Sequence, residues 1–184
     1  MSGLTIEERL WRLESERDIR ELIHLYCAAA DRQDWAAFRS VFHPDSTHHH
    51  DRAFEGRSLD FAALGETMIR ELPETHHQLG NISIRVTSTS AVSEAYFTAH
   101  HVVPADASLV VFPRHKAGVE EEWWVGGRYL DRFEHRDGRW GIVHRNAIHD
   151  WERWETAETR GFSRSLYPLP DLISPVRDFE GAGQ

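Results

Sequence analysis

The first thirty residues carry hydrophobic side chains at intervals of three and four, which predicts a long amphipathic helix. Thr5 and Glu8 have the spacing of a capping box at its start. Ile19, Ile23 and Tyr26 share one stripe of this helix. Tyr26 is therefore expected to point toward whatever the helix covers.

Two shorter helices are predicted before residue 73. The first begins after the N-cap candidate Asp34 and carries Trp35, and the pair Pro44-Asp45 is expected to end it. The second runs from Ser58 to Leu72, where Pro73 stops it. The segment between them contains three consecutive histidines.

After Pro73 the hydrophobic period changes from 3.6 to 2, which is typical of strands. Ile82, Ile84 and Val86 alternate with polar residues. Predicted strands rich in aromatic and β-branched residues follow at 92–103, 123–133 and 140–148. Helices followed by antiparallel strands predict an α+β domain, a curved sheet with helices against one face. We assign residues 1–155 to this domain and 156–184 to an irregular C-terminal tail.

Composition narrows the class of partner and the compartment. The net charge of −9 argues against nucleic acid as the main partner, because phosphate binding needs a basic face. The single cysteine, Cys27, excludes an intrachain disulfide and fits a reducing compartment. No apolar run has the length of a membrane span, and the N-terminus lacks a signal-peptide segment. We therefore expect a cytoplasmic protein with no membrane partner. The 13 histidines and 7 tryptophans suit a pocket for an apolar molecule with a few polar groups.

Five segments, taken in order, resemble one known family. They are YCAAADRQDW at 26–35, FHPD at 42–45, THHQLGN at 75–81, GRYLDRF at 127–133 and RWGI at 139–142. Together they resemble SnoaL-like proteins of the nuclear-transport-factor-2-like (NTF2-like) superfamily over about residues 5 to 155. The resemblance implies a cone, in which a strongly bent sheet wraps around helices and encloses a deep cavity.

The resemblance also implies a catalytic site. Scytalone dehydratase, hexachlorocyclohexane dehydrochlorinase and bile acid 7α-dehydratase, enzymes of this superfamily, perform cofactor-free eliminations with an Asp-His pair. Carried over to this sequence, the pair falls on Asp31 and His77. Tyr26 and Arg145 fall where these enzymes have further active-site residues, and both could donate hydrogen bonds to a substrate oxygen.

Other residues are expected to contact the substrate: Trp35, Phe42, His48, His76, His100, His101 and Tyr129. Strict strand alternation places His76, rather than His77, on the face of Ile82. A bulge at Gly80 would reverse that order, and the resemblance favours His77. His100 and His101 are equal candidates on spacing alone.

The histidine run also raises the question of a metal. His48 and His50 would lie on the same face of a strand, and a third ligand could come from Asp51, His76 or His100. No recognised metal-ligand spacing is present, and paired histidines are also common as polar pocket lining. Neither a phosphate-binding glycine loop nor a serine nucleophile elbow occurs. We expect neither a metal nor another cofactor.

These observations predict a cofactor-independent lyase of the dehydratase type, or an isomerase, acting on a small hydrophobic cyclic molecule such as a steroid or aromatic compound. The alternative is a protein without catalysis, either the β-subunit of a ring-hydroxylating dioxygenase or a ligand-binding cone. A homo-oligomer, trimer or dimer, is expected because a cone with an apolar outer sheet face would expose too large an apolar patch as a monomer.

Overall fold

Three helices and six strands build the part of the chain described by the structure, a computed structural model covering residues 3–157. In chain order the elements are α1 (Ile6–Arg32), α2 (Trp35–Ser40), β1 (Phe42–His50), β2 (Phe54–Arg57), α3 (Ser58–Arg70), β3 (Glu74–Val86), β4 (Ser90–Val103), β5 (Glu121–Arg136) and β6 (Arg139–Thr156). The predicted capping box is present, since Thr5 and Glu8 exchange backbone-to-side-chain hydrogen bonds at the start of α1. Within these residues no helix is both long and apolar enough to cross a membrane.

All six strands form one curved sheet in the order β2-β1-β6-β5-β4-β3. Neighbouring strands are antiparallel except for β1 and β6, which are parallel. The buried stripe of α1 packs on the inner face of the sheet, where Ile19 and Ile23 join aromatic side chains from the strands in one core. The predicted α+β class, with helices against one face of a curved sheet, is confirmed.

A bulge in β3 decides which histidine faces inward. Leu79 pairs with Phe97 and Ile82 pairs with Ala95, so two residues of β3 lie opposite one residue of β4. The extra residue reverses the alternation. His77 therefore lies on the same face as Ile82, as the bulge hypothesis required, and the strict-alternation expectation is wrong.

Two predicted boundaries differ from the structure. The helix that carries Trp35 ends at Ser40, and Pro44 lies inside β1. Proline is tolerated there because the pairing of β1 with β6 is irregular between Phe42 and Thr47, where no regular ladder bond is required. β6 also continues to Thr156, paired with β5 along its length. The predicted tail lies, apart from its first two residues, outside the described residues.

Candidate active site

The inner face of the sheet and all three helices surround a cavity of about 130 Å³. Four histidines, His50, His77, His101 and His149, belong to its lining. Its aromatic lining consists of Tyr26, Trp35, Phe38, Phe61, Phe112, Trp123 and Tyr129. Phe112 belongs to the segment between β4 and β5 and packs with Leu72 and Val103, which places this segment over one part of the cavity.

Asp31 and His77 meet at the wall of this cavity. Asp31 lies near the end of α1, and its Oδ1 is 2.6 Å from Nδ1 of His77. The other oxygen, Oδ2, accepts the backbone N–H of His77 at 2.9 Å. Because the carboxylate accepts from Nδ1, the neutral ring carries its proton there and leaves Nε2 as an acceptor. The two contacts therefore fix both the orientation and the tautomer of His77.

On β3 and again on β4, two adjacent histidines point to opposite faces of the sheet. His76 is 70% exposed on the outer face, and its Nδ1 is 4.0 Å from Asp31. His100 also lies outside, where Nε2 is 3.3 Å from Glu122. His101 is buried within 5.3 Å of the His77 ring, and its Nδ1 is 2.9 Å from the Thr75 hydroxyl. The expectation that His76 and His100 line the cavity is therefore wrong, because alternation directs their side chains away from it.

Burial keeps three of the cavity histidines neutral. Together with the nearby His149 and Arg145, which contribute less, it lowers the pKa of His50 to about 3. It also lowers the pKa of His101 well below the usual range, with a smaller contribution from His77. The pKa of His149 is lowered as well, again mainly by burial. At pH 7 these three side chains are therefore uncharged hydrogen-bonding groups.

Arg145 lies beneath the cavity rather than in its lining. Its Nε and Nη2 contact the two oxygens of Asp131 at 2.7 and 2.6 Å, and both side chains are fully buried. The guanidinium carbon is 3.9 Å from the centre of the Tyr26 ring and 4.3 Å from that of Tyr129. The predicted direct contact of Arg145 with a substrate is therefore corrected, because a buried cation needs its carboxylate and these rings separate it from the cavity.

Tyr26 and Tyr129 both line the cavity as predicted. Burial raises the pKa of Tyr26 to about 12, although the nearby Arg145 opposes this shift. Burial likewise raises the pKa of Tyr129 well above its usual value. Both phenols keep their protons at neutral pH, so each can donate a hydrogen bond.

Of the other predicted substrate contacts, Trp35 lines the cavity, whereas Phe42 and His48 lie behind it. Phe42 packs against Tyr26, with ring centres 6.1 Å apart. His48 is stacked on Phe61 at 3.8 Å. Both side chains support the cavity wall, and their predicted contact with a substrate is corrected.

Sequence reasoning did not find His149, and it considered His50, together with His48, as a metal ligand or as polar pocket lining. The register of β5 and β6 shifts so that Gly126 pairs with Trp151 and Gly127 pairs with His149. This irregularity breaks the alternation that could have identified His149 from the sequence. Across residues 3–157, no group of three or more potential metal-ligating side chains (His, Cys, Asp or Glu) has an arrangement that could hold a metal ion.

Comparisons with known proteins agree with this architecture. Residues 11–146 match the SnoaL-like domain family. The search of curated proteins found no match. A hexachlorocyclohexane dehydrochlorinase (LinA-type3) from Novosphingobium barchaimii is similar with a TM-score of 0.68 and 14% identity, covering 84% of this chain and 98% of that one. A scytalone dehydratase-like protein from Novosphingobium aromaticivorans gives a TM-score of 0.62 and 18% identity, covering 83% and 97%.

An aromatic ring hydroxylase-like protein, also from Novosphingobium aromaticivorans, gives a TM-score of 0.60 and 17% identity, covering 84% of this chain and 96% of that one. At these identities the structural likeness establishes the fold. The family match extends from within α1 into β6 and so includes the elements that surround the cavity. The chain belongs to the SnoaL-like family and has the NTF2-like cone fold.

Proposed function

We propose that the protein is a cofactor-independent lyase that eliminates water, or another group β to a carbonyl, from a small hydrophobic cyclic molecule. The observation that carries this proposal is the contact of both Asp31 oxygens with His77 at the wall of an aromatic cavity. This arrangement supplies a base with a fixed tautomer in surroundings of low polarity. Isomerisation of a double bond is the alternative outcome if the proton returns to another carbon.

In the proposed reaction Nε2 of His77 removes a proton from the carbon next to the carbonyl. The electron pair of the broken C–H bond forms the double bond as the β-hydroxyl leaves, and the proton returns with it as water. Asp31 stabilises the imidazolium that exists between these steps. Tyr26 donates a hydrogen bond to the carbonyl oxygen, where negative charge develops. Arg145 acts from behind the Tyr26 ring and favours that charge electrostatically.

The size of the cavity limits the substrate. Its volume of about 130 Å³ is below the 300–1,000 Å³ typical of pockets for drug-sized ligands. A compact molecule with a single ring fits this space better than a steroid does. We therefore propose monocyclic substrates, narrowing the broader range expected from the sequence.

The proposal is tested by measuring turnover of a panel of monocyclic β-hydroxyketones, followed by the ultraviolet absorbance of the conjugated enone product. We expect turnover by the unmodified protein and by His76→Gln, and loss of turnover in His77→Gln. His76→Gln is the matched control because it changes the neighbouring histidine, which lies on the outer face. Tight binding of these compounds without turnover would favour a ligand-binding cone instead.

We also propose that the protein is a homo-oligomer through the outer face of the sheet. Tyr96, Trp151 and Val92 are between 40% and 50% exposed, although they are large apolar or aromatic residues. Tyr96 and Val92 lie on the outer face of β4, and Trp151 packs over Gly126 of β5. Sedimentation equilibrium at micromolar concentration is expected to give a mass above 21.3 kDa, and a monomer at that mass would refute the proposal.

A further inference from the structure

Two of the consecutive histidines on β1 are hydrogen-bonded to each other. Nε2 of His48 is 3.3 Å from Nδ1 of His50, and the rings are stacked with centres 5.5 Å apart. A hydrogen bond between two imidazoles needs a proton on one nitrogen and a lone pair on the other. The direction of this bond therefore determines the tautomer of both rings.

Both rings are neutral, so each carries one N–H. Burial lowers the pKa of His50 to about 3. It lowers the pKa of His48 even further, and the proximity of His50 and of the Arg145 guanidinium acts in the same direction. Only two arrangements remain, one in which His48 donates to His50 and one in which His50 donates to His48.

The surroundings of His48 favour the arrangement in which it donates. Its Nδ1 is buried and has no hydrogen-bond partner among the described residues. If His50 donated, the His48 proton would sit on Nδ1 as a buried N–H without an acceptor, and buried N–H groups without partners are rarer in proteins than buried acceptors. His48 is also the register partner of Arg145, and a neighbouring cation disfavours a further unpaired donor on the ring.

The second histidine then has its proton on the nitrogen remote from His48. His50 accepts at Nδ1 and so carries its N–H at Nε2. Its side chain lines the same cavity as His77, whose Nδ1 is occupied by Asp31. Of these two cavity imidazoles, His50 therefore has an N–H to donate and His77 has a lone pair to accept.

We propose that His50 is a specificity-determining residue whose Nε2–H donates a hydrogen bond to an acceptor oxygen of the bound molecule, with His48 as the positioning residue that fixes this tautomer. The ligand class is a small apolar ring that bears a carbonyl oxygen or another oxygen with an available lone pair. The inference deepens the proposed function and rests on it only in treating the bound molecule as a substrate. The hydrogen bond donated by His50 does not depend on any turnover of the bound molecule.

The tautomers can be measured directly in the unmodified protein. Two-bond ¹⁵N–¹H correlation spectra at pH 7 are expected to show His48 and His50 both protonated at Nε2, and His77 protonated at Nδ1. Protonation of His50 at Nδ1 would overturn the inference. Protonation of His77 at Nε2 would instead contradict the proposed base, so the two failures are distinguishable.

Two variants of His48 test its positioning role. His48→Gln can place an amide N–H near the position of Nε2, whereas His48→Leu cannot. We expect His50 to keep its Nε2–H tautomer in His48→Gln and to populate both tautomers in His48→Leu. An unchanged His50 spectrum in a folded His48→Leu protein would show that His48 does not fix the tautomer. That result would overturn the proposed positioning role of His48.

Binding tests the specificity role without any turnover. Cyclohexanone and methylenecyclohexane have similar shapes, but only the ketone has an acceptor oxygen. His50→Leu is expected to weaken ketone binding by about three- to tenfold, the contribution of one hydrogen bond, and to leave hydrocarbon binding nearly unchanged. The matched control is His49→Leu, on the outer face beside Asn146, which should alter neither affinity. Equal losses for both compounds in His50→Leu would refute the proposal.

Discussion

Within residues 3–157, the carboxylate–histidine pairs Asp31–His77 and Glu121–His115 have nearly the same local geometry and different surroundings. Asp31 contacts Nδ1 of His77 at 2.6 Å, and Glu121 contacts Nδ1 of His115 at 2.9 Å. Each carboxylate also accepts a backbone N–H, from His77 itself in the first pair and from Lys116 in the second. In both pairs the carboxylate fixes the tautomer of the imidazole.

The pairs differ in what the other ring nitrogen can reach. The side chain of His115 is completely buried outside the cavity, and its Nε2 has no hydrogen-bond partner among residues 3–157. His77 lines the cavity, where Nε2 can meet a ligand. A carboxylate–histidine contact therefore does not by itself make a catalytic base. Access of the second nitrogen to a cavity distinguishes the two, and the second pair is an internal control for the first.

The largest expected effect is on turnover. Asp31→Asn and His77→Gln should each lower the rate of elimination by about 10²- to 10⁴-fold, the usual contribution of general base catalysis. Glu121→Gln, the matched change in the other pair, should leave the rate per folded molecule close to that of the unmodified protein. Initial rates with a monocyclic β-hydroxyketone, corrected for the folded fraction, check this comparison. A comparable rate loss in Glu121→Gln would remove the distinction between the pairs.

A third carboxylate, Asp131, differs from Asp31 and Glu121 because its partner, Arg145, is a permanent cation rather than a histidine. Asp131→Asn leaves Arg145 buried without a countercharge, which should destabilise the fold by about 3–5 kcal/mol. The double variant Asp131→Asn/Arg145→Met should cost less than the sum of the single changes, since it removes both charges. Urea unfolding followed by tryptophan fluorescence measures these free energies. Additive losses would show that the two side chains stabilise the fold independently.

The His115 pair should affect stability and not chemistry. Glu121→Leu removes the acceptor of both His115 and the Lys116 backbone N–H, so it should lower the free energy of unfolding by about 1–3 kcal/mol. Asp31→Asn is the comparison variant, because Asp31 is partly exposed and water can replace its contacts. Urea unfolding of both variants is the measurement. A larger loss of stability in Asp31→Asn would indicate that the first pair is the structural one.

The last expected effect is the dependence of stability on pH. Burial lowers the pKa of His50 to about 3 and that of His101 well below its usual range. The unfolded chain takes up these protons near pH 6.5, whereas the folded chain does not. Stability is therefore full above about pH 6.5 and is lost as the pH falls toward the folded pKa values.

Each of these histidines contributes a slope of at most about 1.4 kcal/mol per pH unit in that range. Urea unfolding at pH 7, 6 and 5 should show the decline, and His50→Leu should reduce the slope. A profile that is flat over this range, or a slope unchanged in His50→Leu, would show that His50 takes up its proton equally in both states.

Local periodicity predicted most of the fold. The 3.6-residue pattern gave α1 and α3 to within a few residues, and the change to a two-residue pattern after Pro73 marked the start of the sheet. The position of Pro44 inside a strand was not predictable, because the irregular β1–β6 pairing that tolerates it joins segments about a hundred residues apart. The full length of β6 depends in the same way on its pairing with β5.

The side chains that face the cavity were predictable where a helix or the family resemblance determined their orientation. They were not predictable where the register between strands determined it. Tyr26 follows from the stripe on α1, whereas choosing His77 over His76 required the bulge in β3. His149 faces the cavity only because the β5–β6 register shifts beside it. The burial of His115 depends on the path of the segment between β4 and β5, for which the sequence gives no periodic signal.

A double-mutant cycle on Asp31 and His77 tests the central claim most directly. The rates of Asp31→Asn, His77→Gln and the combined variant are measured on the same monocyclic β-hydroxyketone, at equal folded concentration. If the two side chains act as one unit, the double variant should be no slower than the slower single variant, within about twofold. Rate losses that multiply in the double variant would show that Asp31 and His77 act independently, and would contradict the account.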